Sequence, residues 1–182
     1  MKALLPIVLL ALVAACATPM RARSDHDSRN DFSRYQSFAW INDDPLIAPS
    51  GSTVNVSPLN RRRIVEAIES QLAAKGFRKA ADEASADFIV SYTVGARDRI
   101  DVQSYPVRFR GVWGWGWTYM SRDADVSTYR EGTLAIDVFD GRTNQPVWHG
   151  WASKRITERD IANAAEQIPV AVAAILESFP PR

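Results

Sequence analysis

Glu131, Asp137 and Asp140 are the carboxylates whose spacing raises a catalytic question, because glycoside hydrolysis uses two carboxyls about 5 Å or about 6.5 to 9.5 Å apart. Within "EGTLAIDVFD", however, Asp137 falls on the opposite parity from Leu134, Ile136 and Val138, and Asp140 opens an Asp-Gly turn. That pattern is a solvated strand face followed by a turn. The two histidines are His26, in a polar stretch, and His149, in a strand-like run. A metal cluster at either would need carboxylates brought together by the fold, and with a single cysteine a thiolate zinc site is excluded. The glycines of "RGVWGWGW" lack the lysine and the strand-to-helix setting of a phosphate loop, and no nucleophile elbow or dinucleotide fingerprint occurs. We therefore assign no catalytic residue, no metal ligand and no cofactor, and keep a hydrolase using Asp137, Asp140 or His149 as a minor alternative.

Two other features carry chemistry of a different kind. Trp113, Trp115 and Trp117 project to one side of an extended chain, while Gly114 and Gly116 leave the other side bare. Such a row can stack on sugar rings, lie at a lipid headgroup interface, anchor a protein partner, or simply form part of the core. The second feature is Cys16, the only cysteine, which closes the apolar run "ALVAAC". Met1 and Lys2 form a minimal positive region, and Ala3 to Ala14 form an apolar one too short to span a bilayer about 30 Å thick, so residues 1–15 read as an export signal. Val13, Ala14, Ala15 and Cys16 resemble the lipobox of bacterial lipoproteins. The resemblance implies that Cys16 becomes the first mature residue and carries two or three acyl chains. At about 0.8 kcal/mol per buried methylene, that number of chains holds a protein to a membrane almost irreversibly. Ala17, in place of an aspartate, resembles the pattern sorted to the outer membrane, so the expected location is the cell envelope, on the periplasmic side.

The composition permits a globular domain: 46% of residues are hydrophobic and 24% charged. Lys and Arg number 22 against 21 Asp and Glu, a formal charge of +1 that falls to zero once Lys2 leaves with the signal. No concentrated basic surface is indicated, and nucleic acid is excluded as a partner; the run Arg61 to Arg63 reads as a solvated helix face. The expected partners are membrane lipid, through acylated Cys16, and an envelope protein or glycan.

The elements that position these residues follow from periodicity. Residues 16–30, from the lipidated cysteine through "ATPMRARSDHDSRN", read as a flexible tether, up to roughly 45 Å if extended. Residues 31–182 read as one domain. "DFSRYQSFAWI" is the expected first strand, and Pro45, Pro49 and Gly51 mark a long loop. Ser57 is suited to cap a helix with Pro58 in its first turn; Ile64, Ile68 and Leu72 form its stripe, and Gly76 with Phe77 a Schellman ending. Phe88, Val90, Tyr92 and Val94 alternate along a strand expected to bend near Gly95. "GTLAIDVFD" and "VWHGWASKRI" flank the turn "GRTNQP" as an antiparallel hairpin. Ile161, Ala165, Ile168, Val172, Ile175 and Phe179 mark a last helix, capped by Thr157 and Asp160 and kinked or divided at Pro169. The expected fold is α+β, with four or five mainly antiparallel strands and two main helices on one face.

The run "YREGTLAIDVFDGRTNQPVWHGWA", with "DFSRYQSFAW" before it and "ILESFPP" after it, resembles a family of bacterial lipoproteins known as domain of unknown function 4136. Its most specific part is Glu131, Gly132, Thr133 and Leu134, followed by Asp137, Asp140, Trp148, Gly150 and Trp151. The resemblance implies a small α+β domain on a lipid tether and brings no catalytic residue with it. The expected function is that of a non-enzymatic, membrane-anchored interaction or envelope-maintenance module, with a carbohydrate-binding module using Trp113, Trp115 and Trp117 as the alternative.

Overall fold

The computed structural model describes residues 20–47, 55–103 and 125–181. Six strands form one mixed sheet: β1 (Arg21–His26), β2 (Ser37–Trp40), β3 (Arg78–Lys79), β4 (Phe88–Gln103), β5 (Asp125–Asp140) and β6 (Pro146–Arg155), in the spatial order β1-β6-β5-β4-β2-β3. The helices are α1 (Pro58–Ala74), α2 (Glu158–Ala162) and α3 (Ala164–Leu176). The α+β class is as expected and antiparallel pairing predominates, but the sheet has six strands rather than four or five and is mixed. β1, β6, β5 and β4 are antiparallel neighbours, whereas β2 lies parallel to both β3 and β4. The reason is α1: a helix inserted after β2 carries the chain over the sheet, and a strand reached by such a crossover returns parallel.

α1 forms as its sequence dictates. The Ser57 hydroxyl accepts from the Asn60 backbone N–H at 3.3 Å, and Pro58 occupies the first turn. At the other end Gly76 adopts φ +91°, and the Phe77 and Gly76 N–H groups donate to Leu72 and Ala73 carbonyls at 3.0 and 2.9 Å. This is the Schellman pair, and only glycine adopts that backbone conformation without strain. Ile64, Ile68 and Leu72 are buried against Phe88, Val90 and Tyr92 of β4 and Ile136 and Val138 of β5. Val172, Ile175 and Leu176 of α3 complete this layer, and Phe179 closes its end against Trp148 and Phe88, with ring centroids 5.2 and 5.4 Å apart. Each such fully buried side chain contributes about 1.5 to 3 kcal/mol of transfer free energy.

Four expectations change. Within the supposed tether, Arg21–His26 is an edge strand in register with β6, from Arg21 opposite Ser153 to His26 opposite Trp148. Its small or polar residues carry no hydrophobic alternation; backbone pairing with β6 holds it in place, and only Ala22 of the strand packs on the core. The expected strand at 31–41 is shorter: a 3-10 turn at Phe32–Arg34 precedes β2. Gly95 pairs regularly with Thr133, and the irregularity falls instead between Val138 and Phe139, where β5 meets β6. The C-terminal helix is divided at Asn163 rather than Pro169, which lies inside α3 on its exposed side. The Thr157–Asp160 capping box forms as expected, and Lys154 binds both Asp160 and Gln167, fixing α2 against α3. Consequently Ile161, expected in the buried stripe, is 60% exposed.

Candidate functional site: the open face of the sheet

Alternation sends the two sides of each strand to different environments. The inner side of β4, β5 and β6 packs under α1 and α3. On the outer side, Ala39, Ala86 and Ile89 form a small apolar cluster with Ile41, Ala80 and Phe139 at the β2 edge. Toward β1 that same side turns polar. Register places Ser91, Asp137, His149 and Asp25 in one row across β4, β5, β6 and β1, and Thr93, Ala135, Trp151 and Arg23 in the next. Among the described residues no helix covers this face; Ala39, Ile89, Ser91 and Ala135 are nevertheless buried on it, and its exposed part lies toward β1, at His149, Asp25 and Arg23.

Within the row, His149 Nδ1 lies 2.6 Å from Asp137 Oδ1, and the imidazole stacks on Trp151 with centroids 5.0 Å apart and planes inclined by 28°. The carboxylate orients the ring and leaves Nε2 for a further hydrogen bond. A nucleophile is missing from that position. Ser91, the hydroxyl of the row, lies beyond Asp137, two strands or roughly 10 Å from His149. It is fully buried, and its Oγ has no hydrogen-bond partner among the described residues. The order hydroxyl, carboxylate, imidazole is therefore wrong for a triad, in which the imidazole stands between the other two.

Asp140 belongs to the other side of β5 and is 2% exposed. Its Oδ1 accepts from the Arg142 and Thr143 backbone N–H groups at 3.1 and 3.0 Å and from the Thr143 hydroxyl at 3.1 Å; its Oδ2 accepts from Tyr35 at 3.0 Å and from the Arg34 guanidinium. Burial alone would raise its pKa, but the donors of Thr143, Tyr35 and Arg142 outweigh it and hold the carboxyl below the ordinary range. Asp137 and Asp140 thus face opposite sides of the sheet and form no acid pair. Glu131, near the middle of β5, is paired with Arg97 at 2.8 Å. Asp160 is lowered to about 2, chiefly by Lys154 and the Thr157 hydroxyl.

The glycines of the motif have spatial roles. A Cβ on Gly150 would stand 2.2 Å from the Trp148 indole and 2.9 Å from Ile175, and one on Gly132 would stand 2.3 Å from Ile156. Both positions exist to admit a neighbouring side chain. Among the described residues no group of three or more His, Cys, Asp or Glu side chains forms a metal site. Cys16 and the row Trp113, Trp115 and Trp117 lie outside the described residues. Sequence reasoning missed Trp151, Asp25 and Arg23 as companions of His149. The shared parity of His149 and Trp151 was the available signal; the β1 residues had none.

Similar folds occur among solved structures. A DUF4136 family protein from Bacteroides thetaiotaomicron superimposes with a TM-score of 0.54 at 16% identity, covering 88% of this chain and 94% of that one. PelC from Paraburkholderia phytofirmans, described as a dodecamer, does so with 0.51 at 12% identity, covering 90% and 99%. The lipoprotein GNA1162 from Neisseria meningitidis is more distant, with 0.41 at 10% identity, covering 81% and 99%. No curated protein matches the chain. The family described as "Domain of unknown function (DUF4136)" matches residues 22–181, nearly everything from β1 to the C-terminus, and the chain therefore belongs to the DUF4136 family.

Proposed function

We propose that this chain is a lipid-anchored envelope protein whose domain acts by binding rather than by catalysis. One observation carries the reading: α1 and α3 share one face of the sheet, leaving Arg23, Asp25, Asp137, His149 and Trp151 together on the other, where Asp137 and Asp25 flank His149 in register and no nucleophile stands beside the imidazole among the described residues. The anchor rests on the sequence, on the apolar signal that ends at Cys16. Among the described residues no helix is long and apolar enough to cross a membrane, so the acyl chains on Cys16 are the attachment on which the reading relies. Ala17 favours the outer membrane and the periplasmic side. PelC, a dodecamer of the same fold, makes self-assembly one form that such binding can take.

A carbohydrate-binding reading is favoured by the stacked His149–Trp151 pair on the open face, since aromatic faces suit sugar rings. In that reading Trp113, Trp115 and Trp117 supply more of the same chemistry, and peptidoglycan or an outer-surface glycan is the ligand. The anchor is tested by Cys16→Ser, which should shift the protein from detergent-solubilised membranes to the soluble periplasmic fraction; unchanged membrane recovery would refute it. Titration with purified glycan fragments tests the second reading. Saturable quenching of tryptophan fluorescence that is lost in Trp151→Ala supports it, and no quenching removes it.

A further inference from the structure

β4 and β5 run on as a two-stranded ribbon well past the body of the sheet. Among the described residues β6 accompanies β5 only from Glu131 to Phe139, and the last bridge on the far side of β4 is Leu46 with Tyr92. Beyond those points the pairing of β4 with β5 continues to Gln103 opposite Asp125. At the ribbon's root Arg97 pairs with Glu131, and Asp98 lies 3.8 Å from Arg130, so the charges there are balanced.

We propose that the far end of this ribbon rests on the membrane surface that holds Cys16. The inference depends on the lipid anchor proposed above and follows from two lengths. Arg21, Ser153, Thr133 and Gly95 stand at one level across β1, β6, β5 and β4. From that level the ribbon extends eight residues from Gly95 to Gln103, about 26 Å at about 3.3 Å per residue. The chain from Cys16 to Arg21 spans five residues and reaches at most about 17 Å. Because β1 begins at Arg21, the link from the anchor is too short to carry the domain clear of the bilayer.

The opposite orientation fails on the same lengths. From Gly95 to Phe88 the sheet runs seven residues the other way, about 23 Å, before the turn that follows Asp140. That end cannot face the bilayer while Arg21 remains within about 17 Å of Cys16.

The test uses the full acylated chain reconstituted in phosphatidylethanolamine and phosphatidylglycerol vesicles containing a headgroup-nitroxide lipid. Cys16 is blocked by its lipid, so Ser127→Cys, near the ribbon's far end, and Gln145→Cys, in the turn at the other end, each present one thiol for a fluorophore. Flotation of the same samples with the vesicles reads the anchor independently. The expected result is flotation of both variants, with loss of most fluorescence at position 127 and little loss at position 145. Flotation with equal quenching at both positions, or stronger quenching at 145, overturns the placement of the ribbon and leaves the anchor standing. Absence of flotation refutes the anchor and, with it, this inference.

Discussion

Replacing Asp140 removes the largest polar junction between the N-terminal 3-10 turn and the β5–β6 turn. Asp140→Ala deletes five hydrogen bonds, three to the turn and two to Arg34 and Tyr35. They are not equivalent. Arg142 and Thr143 are exposed, so their donors return to water, and the Arg34 side chain, 38% exposed, adds little as an ion-pair partner. Tyr35 is 5% exposed; its oxygen keeps the Asn30 donor, but its own hydrogen loses its acceptor, which costs about 1 to 3 kcal/mol. With the turn bonds included, the expected loss is about 3 kcal/mol. Asp140→Asn, whose amide oxygen can still accept from the turn, should lose about half of that. The assay is urea unfolding of the unlipidated Cys16→Ser chain, followed by tryptophan fluorescence. The pH dependence has a defined sign. Because the folded carboxyl titrates below its unfolded value of about 3.9, the gap between parent and Asp140→Asn is fully present above that pH and closes as pH falls through the folded value. A loss below about 1 kcal/mol for Asp140→Ala, or a gap that widens in acid, would refute the junction as the source of stability.

Gly150→Ala places a methyl group 2.2 Å from the Trp148 ring and should destabilise by about 2 kcal/mol, seen as a lower urea midpoint with altered near-ultraviolet dichroism; an unchanged midpoint would mean that the core yields freely. His149→Ala breaks a pair whose side chains are 46% and 26% exposed, so stability should change by no more than about 0.5 kcal/mol while any binding through the open face is lost. A loss of several kcal/mol in that variant would show that the face is structural rather than available.

The parts of the fold legible in the sequence are those where side-chain chemistry and backbone conformation agree locally. Ser57, Pro58 and Gly76 delimit α1 by capping, Thr157 and Asp160 begin α2 by capping, and the Leu134, Ile136 and Val138 alternation assigns β5 its buried side. β1 was hidden because Arg21, Arg23, Asp25 and His26 read as solvent-exposed chain; pairing with the backbone of β6 recruits them into the sheet. The parallel pairing of β2 was hidden for a related reason: a four-residue strand and a two-residue strand carry too little pattern to disclose their neighbours. The candidate site divides along the same line. Asp137 and His149 were visible as outward residues of a hairpin, but their contact depends on a register that the irregularity between Val138 and Phe139 sets by one residue.

This division bears on where function resides. Gly132 admits Ile156, Gly150 admits the Trp148 indole, and Asp140 ties the β5–β6 turn to Tyr35, so much of the sequence motif that makes the chain recognisable is consumed in building the domain. A residue committed to such a contact cannot also be varied to suit a ligand. The outward residues Asp137, His149 and Trp151 are under no comparable packing demand. Binding specificity in this fold is therefore expected in the residues between the motif positions, on the face of the sheet opposite the helices.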